Sequence, residues 1–180
     1  MREIIKLGLV LLLITAISAT ILGLSNGITS KKIEEVEAKA SQEARKEVLP
    51  KADNFEPVDI DTDSKVLAVY KSDAGYAIKT ATPGYGGNVE VITGISKDGA
   101  ITGVKVVKHQ ETPGLGANAT GSEFQNQYKG IKAKNEVLVV KTAPSKDNQI
   151  QALTGATITS DAVTKGVNIA RTLFNEKLNK

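Results

Sequence analysis

The sequence predicts an α+β chain: an apolar N-terminal helix, then a mainly antiparallel sheet with helices packed on it. Three observations carry that expectation. Leu7 to Ser30 holds no charged residue, two pairs of strand-like runs between residues 66 and 107 flank short glycine-containing turns, and Ser160 to Leu178 carries an apolar stripe at helical spacing.

A length of 180 residues suits one soluble domain with a small appendage. The formal charge is only +3, from 23 Lys and Arg against 20 Asp and Glu, which gives no basis for a nucleic-acid partner. There is no cysteine, which excludes disulfides, thiol catalysis and thiolate metal sites. With a single histidine, His109, an all-protein zinc or haem centre is also disfavoured. A redox role would therefore need an organic cofactor, and no metal-ligating or catalytic side chain is singled out.

Leu7 to Ser25 spans nineteen residues, about 28 Å as a helix, against roughly 30 Å of bilayer hydrocarbon. A cleaved signal peptide is the competing reading, but the run is longer than a usual signal core and its small residues lie inside it. The basic residues Arg2 and Lys6 on one side and Lys31 and Lys32 on the other barely fix orientation. The very short N-terminus is the easier end to leave in the cytoplasm. Ile33, Val36, Ala40, Ala44 and Val48 recur at helical spacing, so Lys31 to Val48 reads as a linker helix ended by Leu49-Pro50. The expected division is 1–30 for a short cytoplasmic N-terminus and transmembrane anchor, 31–54 for the linker helix, and 55–180 for an extracytoplasmic domain.

Val66 to Lys71 and Tyr76 to Lys79 flank Ser72-Asp73-Ala74-Gly75, and Val89 to Ile95 and Ile101 to Val107 flank Ser96-Lys97-Asp98-Gly99. Both read as hairpins, because glycine accepts the positive φ of a tight turn. No GxGxxG follows a strand and opens a helix, which disfavours a Rossmann domain. Ser122 to Tyr128 reads as a short helix with Phe124 and Tyr128 on one face, and Val137 to Lys141 as another strand. In the last helix Val163, Val167, Ala170, Phe174 and Leu178 form the packing stripe.

Two loops look alike: Thr82-Pro83-Gly84-Tyr85-Gly86-Gly87 and Thr112-Pro113-Gly114-Leu115-Gly116-Ala117. Proline rigidity and glycine close approach suit both to presenting backbone N–H groups to a ligand, and equally to ordinary tight turns. Glu111 and Thr112 are ligand candidates at the second loop, Tyr85 or Leu115 could cover an apolar ring, and His109 reads better as a hydrogen-bonded structural residue. The strongest stretch is Thr154-Gly155-Ala156-Thr157. Small residues between two hydroxyls, just before a helix expected to begin near Thr159 to Asp161, make a reasonable phosphate site. Helix capping by Asp161 is the plainer alternative.

Thr154-Gly155-Ala156-Thr157 resembles the covalent-flavin motif of the FMN-binding domain family, Ser or Thr followed by Gly-Ala-Thr. Gly84-Tyr85-Gly86-Gly87 and Glu111-Thr112-Pro113-Gly114-Leu115-Gly116 are similar to further family segments in the same order, and the likeness covers nearly the whole chain. Members often carry Asp three residues before the motif's first hydroxyl, where this chain has Gln151. The resemblance implies FMN esterified through its phosphate to Thr157. It makes Thr154, Gly155, Ala156, Glu111, Thr112, Gly114, Leu115, Gly116, Tyr85 and Gly86 cofactor-binding positions. It also implies a flavin transferase as maturation partner, using FAD with magnesium and releasing AMP. The role implied is a one-electron relay in a membrane-bound ion-translocating ferredoxin:NAD oxidoreductase (Rnf) complex, with the other membrane and peripheral Rnf subunits as partners and no independent catalysis. The alternatives are the homologous C subunit of the sodium-translocating NADH:quinone reductase, or a membrane-anchored structural module without a redox cofactor.

Overall fold

A computed structural model describes residues 1–179. Contacts divide the chain into two units, Met1–Lys39 and the remainder from Ala40. The first unit is helix from Arg2 onward: α1 runs without interruption over Arg2–Val48. The expected anchor and linker are thus one helix. No proline interrupts it. The apolar segment is long enough to cross a membrane, and its side chains are exposed. Its threonine hydroxyls are satisfied within the helix: Thr15 donates to the Leu11 carbonyl at 3.0 Å, Thr20 to Ala16 at 2.8 Å and Thr29 to Ser25 at 2.7 Å. That is what an apolar solvent demands of a polar side chain.

In the second unit, β1 (Glu56–Pro57), β2 (Val66–Lys71), β3 (Gly75–Pro83), β4 (Asn88–Ser96) and β5 (Ile101–Lys108) form one antiparallel sheet in chain order. Both expected hairpins are present. Ser72 closes the first turn through its N–H to the Gly75 carbonyl, at 2.8 Å, and Gly99 closes the second with φ +76°. The β3–β4 pair is longer than the sequence runs suggested, because Thr80 and Thr82 continue the inward-facing row and are buried.

One sheet face takes α3 (Thr157–Leu173) and a π-helical turn over Phe174–Leu178. Val163, Val167, Ala170 and Phe174 are buried as the stripe predicts, in clusters that include Val89, Val91, Ile78 and Ile95. Full burial of each such Val or Phe stabilises by about 1.5–3 kcal/mol. The opposite face takes the end of α1: Ala44, Val48 and Leu49 cluster with Ala77 and Ile92. Arg45 lies 4.0 Å above the Tyr70 ring, and Thr102 donates its hydroxyl to the Val48 carbonyl at 2.5 Å. Of the apolar stripe expected on the linker, Ala44 and Val48 are buried, whereas Ile33 and Val36 are exposed.

α2 (Ser122–Asn126) follows a 3₁₀ turn at Gly116–Thr120. Phe124 and Tyr128 pack edge to face at 5.7 Å, and the Tyr128 hydroxyl pairs with Thr164 of α3 at 2.8 Å. β6 (Leu138–Val140) pairs in parallel with β7 (Gln149–Gln151), a three-residue strand that had no sequence signal.

Candidate functional site

Antiparallel pairing brings the end of β3, the start of β4 and the end of β5 to one end of the sheet. The two glycine loops leave from there. α3 presents its N-terminal turns to the same end, since Thr82 of β3 donates its hydroxyl to the Ala162 carbonyl at 2.7 Å. The meander and one buried hydroxyl thus bring together loops that lie far apart along the chain.

Glu111 sits at their junction and is only 6% exposed. Its Oε1 accepts the backbone N–H of Tyr85 at 2.9 Å and of Gly86 at 3.1 Å. Its Oε2 accepts the Thr159 hydroxyl at 2.5 Å. Burial pushes the carboxyl up. The Thr159 hydroxyl and the Gly86 and Tyr85 amides together pull harder, with a further pull from His109, and hold it below its ordinary value. The carboxylate is therefore ionised near neutral pH. The glycines beside it are needed for room. A Cβ on Gly116 would stand 2.6 Å from both Glu111 Oε2 and Thr159 Oγ1, and one on Gly84 would collide with Glu111 Oε1. His109 accepts the Glu111 N–H at Nδ1, 3.2 Å away, in the structural role its sequence context suggested.

α3 starts at Thr157, earlier than expected, with Ala156 as N-cap and no side-chain cap. Asp161 lies in the second turn and does not cap it. Alanine offers no capping oxygen, so the first-turn N–H groups are open to an external acceptor. Gly155, at φ +74°, turns the chain into this terminus through a left-handed conformation that glycine adopts at little cost.

The hydroxyls here have separate duties. Ser160 is fully buried; it accepts the Leu153 N–H at 2.9 Å and donates to the Ala156 carbonyl at 3.0 Å, which pins the loop to the helix. Thr159 is spent on Glu111. Thr154 is exposed and lines a neighbouring polar cleft of about 510 Å³ with Gln127 and Gln151. Thr157 is half-buried and opens on a cleft of about 630 Å³, and its hydroxyl has no hydrogen-bond partner among the described residues.

That cleft gathers Tyr85, Glu111, Thr112, Leu115, Gly116, Gly155, Ala156 and Thr157 of the residues the sequence singled out. Gly86, Gly114 and Thr154 do not line it: Gly86 stands behind the wall and Gly114 faces open space. Ile158 and Thr159 line it without having been anticipated. Thr159 could have been found, because it lies one turn before Val163 on the buried stripe, where a polar residue signals a buried partner. Tyr85, Leu115 and Ile158 are 72%, 47% and 55% exposed, an apolar rim on a cleft whose one charged wall residue, among the described residues, is Glu111. A planar apolar ring carrying a phosphate tail fits both parts. A larger cleft, about 770 Å³ and lined among others by Lys65, Glu136, Lys165 and Arg171, holds none of the predicted cofactor-binding residues.

Residues 84–172 match the model of the FMN-binding domain. The chain is 46% identical to the G subunit of the Na(+)-translocating ferredoxin:NAD(+) oxidoreductase complex of Acetobacterium woodii, over 94% of this chain and 90% of that protein. It is 35% identical to the G subunit of the ion-translocating oxidoreductase complex of Methanosarcina acetivorans, over 94% and 93%. Among solved structures, the C subunit of the Na(+)-translocating NADH-quinone reductase of Parabacteroides distasonis superposes with a TM-score of 0.62 at 18% identity, covering 79% of this chain and 94% of that one. At that identity the likeness speaks for the fold alone.

Proposed function

This chain belongs to the family of G subunits of ion-translocating oxidoreductase complexes, and it carries the FMN-binding domain; from that premise we propose that it is the electron-carrying subunit of an Rnf-type complex, with FMN joined by a phosphoester to Thr157. One observation carries the attachment residue. Of the four hydroxyls around the start of α3, only that of Thr157 both opens on the cleft and lacks a partner among the described residues.

The residues present fit the group. The uncapped first turn of α3 and the Gly155 backbone would receive the phosphate. Leu115, Ile158 and Tyr85 would cover the ring, and the Thr112 hydroxyl would meet its polar edge. When bound, the flavin supplies the one-electron chemistry that a chain without cysteine lacks. The protein's own part is to tether, to orient and to keep water from one side of the ring. A threonine hydroxyl is too weak a nucleophile to form the ester unaided, so a flavin transferase is required. The apolar segment of α1 would be a single membrane span with the domain outside the cytoplasm. Other subunits would deliver and remove the electrons.

Peptide mass spectrometry of protein taken from its native membrane tests cofactor, linkage and position together. The expected result is an FMN phosphoester on the peptide containing Thr157, and a fluorescent band on denaturing gels that Thr157→Ala abolishes while the domain keeps its fold. Equal labelling of Thr157→Ala would reject the residue, and an unmodified native protein would reject the electron-relay reading.

A further inference from the structure

Glu111 carries a charge that its hydrogen bonds do not require. Its donors are two backbone amides and one hydroxyl, all neutral. A glutamine would serve the same three: its carbonyl would accept the Tyr85 and Gly86 N–H groups, and its amide would donate to Thr159, whose hydroxyl can accept. Burial of a carboxylate is costly where a neutral acceptor would do. Yet the group is 6% exposed and, among the described residues lining the cleft, is the only charged side chain. His109 faces it from the backbone side, at the Glu111 N–H.

A fixed charge in a poorly hydrated wall acts over several ångströms with little screening. An electron that arrives from a redox partner without a proton adds one negative charge to the bound ring. A carboxylate in the wall makes that addition less favourable. We propose, on the reading that this cleft holds FMN, that Glu111 is a positioning residue that holds the flavin's midpoint potential low by fixing one negative charge in the cleft wall, locked in place by Thr159 and the 84–87 loop. The same side chain thereby couples folding of the loops to the driving force of electron transfer.

The test compares the flavinylated full-length protein with Glu111→Gln and Glu111→Asp, by spectroelectrochemical titration. Thermal midpoints are measured in parallel on each variant in an unlabelled Thr157→Ala background. The midpoint potential of Glu111→Gln is expected to move positive, while Glu111→Asp, which keeps the charge on a shorter arm, stays with the wild type even if it melts earlier. A purely structural role would track the thermal midpoint instead. An unchanged potential in labelled Glu111→Gln overturns the proposal, and so does a folded Glu111→Gln that takes up no flavin. Should Glu111→Gln not fold, Glu111→Asp decides: a wild-type potential supports the charge effect, a raised one overturns it. Wild-type protein without flavin on Thr157, seen by mass before any titration, would instead sink the cofactor assignment and this inference with it.

Discussion

The two Thr-Pro-Gly-apolar-Gly loops are nearly the same string and do different work. Thr82 of the first is buried and donates to α3, whereas Thr112 of the second is exposed at the cleft. The first loop closes a hairpin, Gly84 N–H to the Gly87 carbonyl at 2.8 Å, and sends two amides to Glu111. The second leads into a 3₁₀ turn and brings Gly116 against the same carboxylate. Even the matched glycines differ, since Gly84 is hemmed in while Gly114 faces open space at φ +78°. A short loop motif therefore fixes a backbone shape. What that shape does depends on which groups the rest of the fold sets opposite it.

Several substitutions would break or sharpen that contrast. The largest effect is expected at Gly116→Ala, where the new methyl is forced between Glu111 and Thr159; overpacking of this kind costs about 1–3 kcal/mol in denaturant unfolding. Gly114→Ala, two residues earlier in the same loop, has space and should lose only the strain of a left-handed residue, roughly 1 kcal/mol. Equal losses at both sites would mean that the second loop is a simple turn, with no close fit of Gly116 against Glu111.

Next comes acid stability. The Glu111 carboxyl is depressed below its ordinary 4.5, so its stabilising contribution is complete above that pH and is lost as pH falls below it, through the folded-state value. Unlabelled wild type should therefore lose stability on that limb more steeply than Glu111→Gln, as read from thermal midpoints across an acid series. Identical acid limbs would mean that the carboxylate gains nothing from its donors.

A smaller difference is expected between Thr82→Val and Thr112→Val. The first removes a buried hydrogen bond and should cost about 0.5–1.5 kcal/mol. The second should stay within about 0.5 kcal/mol in stability, as exposed sites do, and instead alter flavin absorbance. The smallest stability effect belongs to Tyr85→Ala and Leu115→Ala, both exposed. They should leave unfolding nearly unchanged while increasing the quenching of flavin fluorescence by added iodide.

Much of this was legible in the sequence because it is local. Asp98-Gly99 and Ser72 to Gly75 announce their hairpins through turn chemistry, and the Val163 to Phe174 stripe announces a helix on a sheet. What escaped was set by distant partners. Thr159 and Glu111 lie 48 residues apart, and no spacing rule joins them. The start of α3 at Thr157 was missed because its N-cap, Ala156, carries no capping oxygen, while the favourable capping residue types lie further on, up to Asp161. β7 is three residues long and exists because it lies beside β6. The glycines of both loops read as ligand-facing, and what the sequence did not show is the second reason three of them, Gly84, Gly86 and Gly116, must be small: Gln110 and Glu111 press against them.

The meander also dictates an order of assembly. Each strand from β1 to β5 neighbours the one before it, so the sheet closes only short loops and can zip early. The first turns of α3 must instead bridge 48 residues to Glu111 and 80 to Thr82, and neither bond can form before the helix docks. The Thr157 platform is thus completed by long-range closures rather than by the local pairing that builds the sheet. A maturation enzyme that requires that platform would modify only chains that had finished folding, and the flavin would serve as a certificate of quality control.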